Sequence, residues 1–600
     1  MNRQEKIIAA LMGLALVVYM MYSGRMNAER SEGGRPDGQS YAAASNQTAV
    51  VEEAAPVVKS PLKKPAAAAE PAVTEVPDEP EKVVKVETDE LLLELSSHGA
   101  VIKSVLLKKY NSEPGEAGPD NPPVILDFSD NPGFELQGIP GLPANAAYEI
   151  KRCDDECSVE FQSVTEQGLT VTRKLQLLDN YQVKVSDSYF NRGEAALALR
   201  TNSVCMGSMY RGQSKNDIVS IDALPDKEDA DVMHWDKNKQ TRGFIGASGG
   251  FGCGGAKSAV GMPDRISVPM DGAHRWVAVK SRFFVTAFSS DTATCGYEAV
   301  MERDLSQEKY VLSSLGAKVC FPGRLLDSGE SFTRDYTLYV GPKKIDLLNE
   351  MGSNMDAIMQ FGKFSWFCKL LVPTLNFFYR LIPNYGVAII LLTVLVRIIF
   401  WPLTHRSTKS MRKMQEIQPQ LKALQAKFKD NPQKLQQETW AVYKENKVNP
   451  LSSCLPMLIQ IPVFIALFTV LRSAVELRYA SFLWIRDLSQ PENLFADTLP
   501  IALNILPIMM SGTMALQSYL TPSTGDPQQQ KMMMIMMPVM MLFMFYSFPS
   551  ALSLYWTVSQ VLAIVQMLLI RRHHPPEKDD GIEDAEVVQT RQQRRQMARG

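Results

Sequence analysis

Apolar runs near both ends of the chain, separated by a long stretch of alternating residues, organise the sequence. Each run approaches the roughly 20 residues that a helix needs to cross a bilayer. The runs occupy residues 7–22, 385–403, 451–471, 499–520, 532–548 and 551–570. The pattern predicts six transmembrane helices, which would leave both termini on the same side of the membrane.

The first apolar run predicts an uncleaved signal anchor. Arg3 and Lys6 precede it, as in a signal peptide, but no convincing A-x-A cleavage site follows it. We therefore expect residues 1–23 to form a transmembrane anchor with a cytoplasmic N-terminus. Residues 24–82 are rich in Ala, Pro, Glu, Lys and Val. Such a composition buries too little apolar surface to offset its ordering entropy, so we expect a disordered, partly extended periplasmic tether.

Residues 83–342 change to short segments that alternate between apolar and polar positions. Two strands are predicted in residues 91–110, around a Ser-His-Gly turn, and two more in residues 169–190, around Asp179-Asn180. A region of this size with strands of this kind is typical of one large all-β sandwich. We expect this domain to lie in the periplasm.

The β region offers no convincing catalytic or metal site. The run at residues 249–258 has Ala256 where a phosphate-binding loop needs glycine, so a surface loop is the better interpretation. His98 and His274 have no partner at metal-ligand spacing and are expected to be ordinary surface histidines. We therefore predict no metal, no cofactor and no enzymatic activity.

Six of the eight cysteines fall in the β region, and their pairing stays open. An even number in an exported segment permits disulfides, with fifteen pairings. Buried free thiols are an equal alternative. The six residues are Cys153, Cys157, Cys205, Cys253, Cys295 and Cys320.

Residues 343–384 lead from the β region to the second span. The part at 361–381 carries aromatic residues on several faces and is interrupted by Lys369 and Pro373. This pattern favours an amphipathic helix in the outer membrane interface over a further span.

The second span, residues 385–403, carries Arg397 inside an otherwise apolar segment. A guanidinium in hydrocarbon costs on the order of 3 kcal/mol, so it must face water, a partner or the protein interior. The alternative is that it snorkels to the nearer headgroups. Thr393 precedes it by four residues and shares its helix face, so the two could form one polar stripe.

A basic loop, residues 404–449, follows this span with ten Lys or Arg against four Asp or Glu. The positive-inside rule places it in the cytoplasm. Apolar residues at spacings of three and four, broken at Asp430-Asn431-Pro432, predict a helical hairpin. Its basic surface indicates docking to an anionic partner such as ribosomal RNA, unless the charges are merely solvated. Residues 450–570 then hold the remaining four spans, and residues 571–600 form a cytoplasmic tail.

Polar and flexible side chains recur on the later spans. The polar ones include Gln517, Ser553, Thr557, Ser559 and Gln560. The spans contain no acidic residue that could pair with Arg397. This combination indicates a hydrated concavity rather than a closed ion relay. Eight methionines in residues 531–545 suggest an adaptable apolar wall.

The chain also contains HRWVAVKSRFFVTAF, YTLYVGPK, TVLVRIIFWPLTHRSTKSMRKMQ, KVNPLSSCLPMLIQIPVF, SAVELRYASFLWIRDLS, DPQQQKMMMIMMPVMM and FPSALSLYWTVSQ. Together these motifs resemble the YidC-type membrane protein insertases of the long, Gram-negative kind, over most of the chain. The resemblance implies an α-helical polytopic membrane protein with six transmembrane helices, five of which form the insertase core. It also implies a large periplasmic all-β sandwich domain of sugar-mutarotase-like shape.

The resemblance further implies a hydrophilic groove, open to the cytoplasm and to lipid, that binds the substrate. Arg397 is similar to the family's groove arginine, Thr393 to its nearby hydroxyl, and Gln517 to its groove amide. Tyr555 and Trp556 are similar to an aromatic pair on the last span, although some members carry Tyr where this chain has Trp556.

We therefore expect an insertase and chaperone of nascent membrane proteins in the inner membrane. Its expected partners are the lipid bilayer, the ribosome and the Sec translocon with its accessory subunits. We expect it to act either beside the translocon or without it. The near balance of 63 Lys and Arg against 65 Asp and Glu identifies no charged partner, and we predict no DNA binding. The alternative is a secondary transporter of an anionic solute, but the inverted repeats and broken helices that it requires are not found.

Overall fold

The computed structural model describes residues 80–573 apart from a set of short gaps. The gaps are residues 116–120, 153–156, 211–218, 228–229, 236–263, 304–311, 430, 447, 449–454, 497–501 and 521–526. The predicted anchor at 1–23, the tether up to residue 79, the Gly-rich run at 249–258 and the tail beyond residue 573 lie outside the described residues.

Twenty strands precede the helices in this part of the chain, and all their pairings are antiparallel. They are β1 (Val83–Glu87), β2 (Leu91–Ser96), β3 (Val101–Asn111), β4 (Pro123–Asp127), β5 (Gly133–Gln137), β6 (Glu149–Arg152), β7 (Ser158–Val164), β8 (Leu169–Leu178), β9 (Gln182–Asn191), β10 (Leu197–Leu199), β11 (Asn202–Tyr210), β12 (Ser220–Pro225), β13 (Met233–Trp235), β14 (Arg265–Asp271), β15 (His274–Lys280), β16 (Phe284–Ser290), β17 (Gly296–Arg303), β18 (Leu312–Phe321), β19 (Arg324–Leu326) and β20 (Ser331–Pro342).

Two nine-stranded sheets form a sandwich. The first follows the order β1-β2-β3-β5-β11-β18-β17-β14, with β4 beside β3, and the second follows β13-β12-β15-β16-β20-β9-β8-β7-β6. Phe134 of the first sheet meets Tyr336 of the second with ring centroids 5.6 Å apart. Phe288 and Phe321 meet across the same interface at 6.3 Å. The alternating apolar positions of the strands therefore supply one shared core between the sheets.

Arg173 forms a buried ion pair within the second sheet and also bonds to the first sheet. Arg173 of β8 and Asp187 of β9 are both fully buried, and their two N···O contacts measure 2.7 Å each. Arg173 Nη1 also donates to the carbonyl of Ala100 at 3.0 Å and to that of Phe134 in the opposite sheet. A shift of one sheet against the other would break bonds of this buried guanidinium, and a buried charge without partners is costly. These bonds therefore fix how the sheets stack.

His274 is buried, so the prediction that it lies at the surface is wrong. It is 5% exposed and its ring packs edge-on against Tyr297, with centroids 5.1 Å apart. The reason is strand register, because His274 shares one face of β15 with the buried Trp276. Burial lowers the pKa of His274 below its usual value.

The cysteines that the structure describes carry free thiols. They are Cys157, Cys205, Cys295, Cys320 and Cys368. Burial raises the pKa of the Cys205 thiol, which keeps it protonated and unreactive. Cys153 and Cys253 lie outside the described residues, so their pairing stays a prediction.

The described residues after the sandwich form nine α-helices. They are α1 (Ile345–Glu350), α2 (Ser365–Leu381), α3 (Tyr385–Glu416), α4 (Gln418–Lys427), α5 (Pro432–Glu445), α6 (Leu455–Ser473), α7 (Ile505–Leu520), α8 (Pro527–Phe545) and α9 (Ser550–His573). Two segments within them, Tyr385–His405 of α3 and Ser550–Leu569 of α9, are long and apolar enough to cross a membrane.

Helix α2 has two apolar faces of different kinds. Its buried face consists of Cys368, Leu371, Val372 and Leu375 and packs against α3 and α6. Its other face exposes Trp366, Leu370, Phe377 and Leu381, each by more than half of its surface. The predicted amphipathic helix is therefore confirmed as a helix, and its exposed apolar face is the one available to a lipid interface.

Two of the helix boundaries that differ from the prediction have a cause in the structure. Helix α7 begins at Ile505 instead of residue 499, because the Glu492 carboxylate accepts from the backbone N–H of Ile505 at 2.8 Å and of Leu506 at 2.7 Å. The predicted first helix of the basic hairpin is divided at Ile417, where α3 ends and α4 begins with Pro419 in its first turn. The second hairpin helix, α5, begins at Pro432 as the sequence indicates.

Helices α3 and α9 run parallel to one another. Arg397 contacts Ser559, and Thr404 contacts Gln566, so an advance of seven residues on one helix matches seven on the other. Helices α7 and α8 are antiparallel. Asn504 contacts Tyr546, and Ser511, seven residues later, contacts Pro538, which is eight residues earlier than Tyr546. The segments that follow α3 and α9 therefore leave the bundle at the same end.

Candidate groove arginine and its surroundings

Arg397 binds the neighbouring helix α9 instead of extending along its own. Its Nε donates to the Ser559 hydroxyl at 3.1 Å, and its Nη2 donates to the same hydroxyl at 2.6 Å and to the Ser559 carbonyl at 2.7 Å. The guanidinium is half-buried. It is thus satisfied by neutral dipoles, which is how a cation in an apolar bundle lowers its desolvation cost without losing its charge.

A second polar contact lies one heptad further along the same helices. Gln566 Nε2 donates to the Thr404 hydroxyl at 3.0 Å. We call the four residues Arg397, Ser559, Thr404 and Gln566 the polar seam. Because both contacts join α3 to α9 at equal spacing, the polar seam fixes the axial register of these two helices.

Thr393 does not extend this seam. It is fully buried, and its hydroxyl donates at 2.6 Å to the carbonyl of Ile389 in its own helix. The helix face shared with Arg397 is real, but a buried threonine finds its acceptor one turn back in the backbone. The predicted polar stripe therefore consists of Arg397 and its partner on α9, with Thr393 as packing beside it.

The side chains of Tyr555 and Trp556 lie in different environments. Tyr555 is 2% exposed and lies one turn before Ser559, on the face of α9 that carries the partner of Arg397. Trp556 packs edge-on against Phe464 of α6, with centroids 5.0 Å apart, and against Phe545 of α8 at 5.5 Å. The structure thus places Tyr555 one turn from the partner of Arg397, and Trp556 in an aromatic cluster with α6 and α8.

Gln517 lies on α7 and is half-buried. Helix α7 packs against α8 and α9. Its hydrophobic residues Leu506, Pro507, Met510 and Met514 are buried, so the helix is held by its N-terminal half while Gln517 stands near its other end.

Sequence reasoning missed the partner of Arg397. Ser559 was visible only as one of several hydroxyls on the last span, and side chains 162 positions apart carry no local signal of contact. The matching seven-residue spacing of Arg397 to Thr404 and of Ser559 to Gln566 is the one pattern that points to the pairing.

Large apolar side chains are exposed beside Arg397 and along α8. Beside Arg397, Ile398 and Ile399 are 62% and 60% exposed. Helix α8 exposes Ile535, Met536, Val539, Met540, Phe543 and Met544. In the part of the chain that the structure describes, no group of three or more His, Cys, Asp or Glu residues could hold a metal ion. The arrangement offers one cation, hydroxyls and amides inside an apolar shell, which suits binding rather than bond cleavage.

Comparison with known proteins gives a consistent result. A family model for the 60Kd inner membrane protein matches residues 377–578, and a model of the YidC periplasmic domain matches residues 83–216 and 262–373. The membrane protein insertase YidC of Pelobacter propionicus is 34% identical over 499 residues, covering 79% of this chain and 84% of that protein. The membrane protein insertase YidC of Chlorobaculum tepidum is 30% identical over 594 residues, covering 94% of each.

A solved structure of an active YidC insertase aligns with 82% of this chain and 93% of its own, at 19% identity and a TM-score of 0.32. The identity and coverage of the sequence relatives, together with matches to both the sandwich and the helical part, establish that the chain belongs to the YidC family of inner-membrane proteins with a periplasmic domain.

Proposed function

We propose that this chain inserts and folds nascent membrane proteins, and that the polar seam receives their polar segments. The observation that carries the proposal is the bonding of Arg397. Its guanidinium is half-buried and bonded to a hydroxyl and a carbonyl, and among the described residues no carboxylate pairs with it. A cation held by neutral groups keeps its full charge and can attract an acidic group of a substrate.

The proposed reaction needs neither nucleotide nor metal. A short polar segment of the substrate enters beside Arg397, where Thr404, Gln517 and Gln566 replace part of its lost water. The adjoining apolar segment then passes between α6 and α8 into lipid, driven by burial at about 25 cal/mol per Å². The exposed methionines of α8 support this route, because flexible thioethers adapt to varied apolar sequences.

We further propose a six-span topology with both termini in the cytoplasm. The parallel course of α3 and α9 supports it, since the segments after these helices must then lie on one side. Residues 404–449 comprise the last turns of α3 and the first of those segments; they are strongly basic and belong in the cytoplasm. The sandwich, which precedes α3 in the chain, then lies on the other side with α2 in the outer interface.

The basic hairpin of α4 and α5 is the proposed ribosome contact. A small core of Met414, Ile417 and Val448 holds it together, which leaves the lysines outside. Those whose exposure is described include Lys422, Lys427, Lys434 and Lys444. Exposed cations on a small rigid support suit the phosphates of ribosomal RNA. Action beside the Sec translocon and its accessory subunits is compatible with this activity, and an assay with the chain alone separates the two modes.

The test is insertion into liposomes that contain only this purified chain. The substrate is a protein with one span and a short acidic outer segment, and a matched substrate carries a neutral segment. Protease protection measures insertion. We expect protection above that of empty liposomes, and Arg397→Ala should lower insertion of the acidic substrate by roughly tenfold while affecting the neutral one less, as about 1.4 kcal/mol is a tenfold change.

Arg275→Ala is the matched control, because Arg275 is an exposed arginine of β15 that pairs with Asp226 at 2.9 Å, far in sequence from the seam. It should insert both substrates normally. Absence of protection with the folded wild-type chain would reject autonomous insertion and leave action beside the Sec translocon. Equal loss for the acidic and neutral substrates in Arg397→Ala would reject the role of the arginine charge.

A further inference from the structure

Three consecutive carbonyls between α6 and α7 accept hydrogen bonds from two distant parts of the chain. They belong to Leu488, Ser489 and Gln490, which we call the bridging tripeptide. The outer two hold the start of α9, since Leu488 accepts from the N–H of Ala551 at 2.9 Å and Gln490 from the N–H of Ser550 at 2.8 Å. The Ser550 hydroxyl donates to Gln490 as well, at 2.6 Å. These bonds satisfy N–H groups that a helix start leaves without partners in its own helix.

The middle carbonyl is held by the sandwich domain. Arg282, in the turn between β15 and β16, donates from Nη2 to the Ser489 carbonyl at 2.6 Å and from Nε to the Arg472 carbonyl at 2.8 Å. Arg472 belongs to the last turn of α6, where a cation is favoured by the helix dipole. Arg282 is 6% exposed and its guanidinium lies over the Phe283 ring at 4.6 Å. One buried side chain of the sandwich thus grips both the end of α6 and the bridging tripeptide.

The tripeptide is itself rigidly placed. Asp487 Oδ1 accepts from the N–H of Ser489 at 2.8 Å and from the N–H of Tyr479 at 3.0 Å, and Ser489 is fully buried. Burial raises the pKa of the Asp487 carboxyl, and the nearby Arg282 charge opposes that shift. A displacement of Arg282 therefore moves Ser489 together with its neighbours rather than being absorbed by a loose loop.

A second arginine clamps the same segment in the opposite direction. Arg478 donates from Nη1 to the carbonyl of Asn111 at 2.7 Å and from Nη2 to that of Ser112 at 3.3 Å, at the end of β3. Its guanidinium lies over Tyr479 at 4.2 Å, and the Tyr479 hydroxyl donates to the same Ser112 carbonyl. Arg282 thus reaches from the sandwich to the segment after α6, and Arg478 reaches from that segment to the sandwich. The two bonds together fix the position and the rotation of the segment against the sandwich.

We propose that Arg282 is a positioning residue of the polar seam. By holding the bridging tripeptide it sets where α9 begins, and through that rigid helix it sets the register of Ser559 against Arg397. The nine helical steps from Ser550 to Ser559 span about 13.5 Å. The sandwich domain thereby controls the geometry of the site that binds the substrate. This inference rests on the proposed function of the seam.

The first readout is the register itself, measured without insertion. In the full-length chain in liposomes, Thr404→Cys and Gln566→Cys are joined by a short rigid bis-maleimide, and the cross-linked peptide is quantified by mass spectrometry. Arg282→Ala should lower its yield by at least about threefold, since the carbonyls of Ser489 and Arg472 lose their buried donor. Arg282→Lys keeps the charge but cannot donate to both carbonyls in the same geometry, so its cross-link yield should lie between those of Arg282→Ala and the wild type. The yield in Arg275→Ala should equal that of the wild type.

The second readout is insertion of the acidic substrate, without the cysteine substitutions. Arg282→Ala should impair it, and adding Arg397→Ala should cause no further loss, because both changes act on the same contact. A general loss of stability would instead add to the effect of Arg397→Ala. An unchanged cross-link yield in both Arg282 variants overturns the inference, and so does an additive loss. If the wild-type chain cross-links but does not insert the substrate, the proposed function is rejected. The cross-link yields of the Arg282 variants then test the positioning role by themselves.

Discussion

Arg397 and Ser559 join two parallel helices through three hydrogen bonds, two to the serine hydroxyl and one to its carbonyl. The charge is not neutralised by this contact, because both acceptors are uncharged. We therefore propose two functions for this arginine, namely that it locks α3 to α9 and that it remains a cation for an acidic group of the substrate.

Removal of the Ser559 hydroxyl should weaken the bundle modestly. Ser559→Ala keeps the carbonyl acceptor and loses the other two bonds, so we expect the free energy of unfolding to fall by about 1 kcal/mol, within the range of interhelical hydrogen bonds in membranes. Unfolding in mixed micelles measures it. Ser553→Ala is the control on the same helix, because the buried Ser553 hydroxyl has no partner among the described residues. An equal cost for both variants would contradict the assignment.

The start of α7 should depend on Glu492. Its carboxylate binds the N–H groups of Ile505 and Leu506 and also accepts from Trp484 Nε1 at 3.1 Å. Glu492→Ala should cost about 1 kcal/mol, as for loss of a helix cap, and should speed hydrogen exchange at residues 505–506. Mass-spectrometric exchange in the full chain tests this, with the exposed Glu445 of α5 changed to Ala as control. Protection that persists without the carboxylate would show that tertiary packing alone sets this boundary.

The buried pair Arg173–Asp187 should matter far more than an exposed one. Arg173→Ala leaves Asp187 charged and unpaired in a core where both residues are fully buried, so we expect a loss of about 3–5 kcal/mol in the free energy of unfolding. Arg275 and Asp226 form a comparable pair with side chains 46% and 49% exposed. Arg275→Ala should cost less than about 1 kcal/mol. Denaturant unfolding of the full-length chain compares the two, and similar losses would refute the argument.

Lys343 should make the stability of the chain depend on pH. Burial and the nearby Lys280 lower its pKa from 10.5 to about 7, with Asp222 opposing and Arg282 contributing. The unfolded chain therefore holds this proton up to about pH 10.5, whereas the folded chain releases it near pH 7. The free energy of unfolding should rise by about 1.4 kcal/mol per pH unit above pH 7 from this group alone.

Lys343→Met removes that contribution, while the groups that do not interact with Lys343 titrate alike in both chains. The difference in unfolding free energy between the two chains should change steadily between pH 7 and pH 9 in favour of the wild type. A difference that stays constant over this interval would mean that Lys343 remains protonated in the fold.

Local pattern alone predicted much of the secondary structure. The strands on either side of the Ser-His-Gly turn are confirmed as β2 and β3, and those around Asp179-Asn180 as β8 and β9. Alternation reports which face of a strand is buried, and that information is contained in neighbouring residues. The last apolar run, at residues 551–570, likewise lies within α9.

The same reasoning failed where a distant residue decides the outcome. The start of α7 depends on Glu492, thirteen residues earlier. His274 is buried because its strand is central in a sheet whose neighbours come from elsewhere in the chain. Neither outcome can be predicted from the neighbouring residues in the sequence.

The sequence by itself determined the classes of segment, namely apolar runs, alternating strands and a basic loop, because each reflects how a short stretch partitions between water, lipid and protein core. It also placed Arg397 in a span, where a cation must find partners. Only the tertiary structure decided that the partner is Ser559, and that Arg282 of the sandwich reaches the helix carrying it through the bridging tripeptide. Those contacts join residues 162 and 207 positions apart, and only the packing of helices and sheets brings such groups within hydrogen-bonding distance.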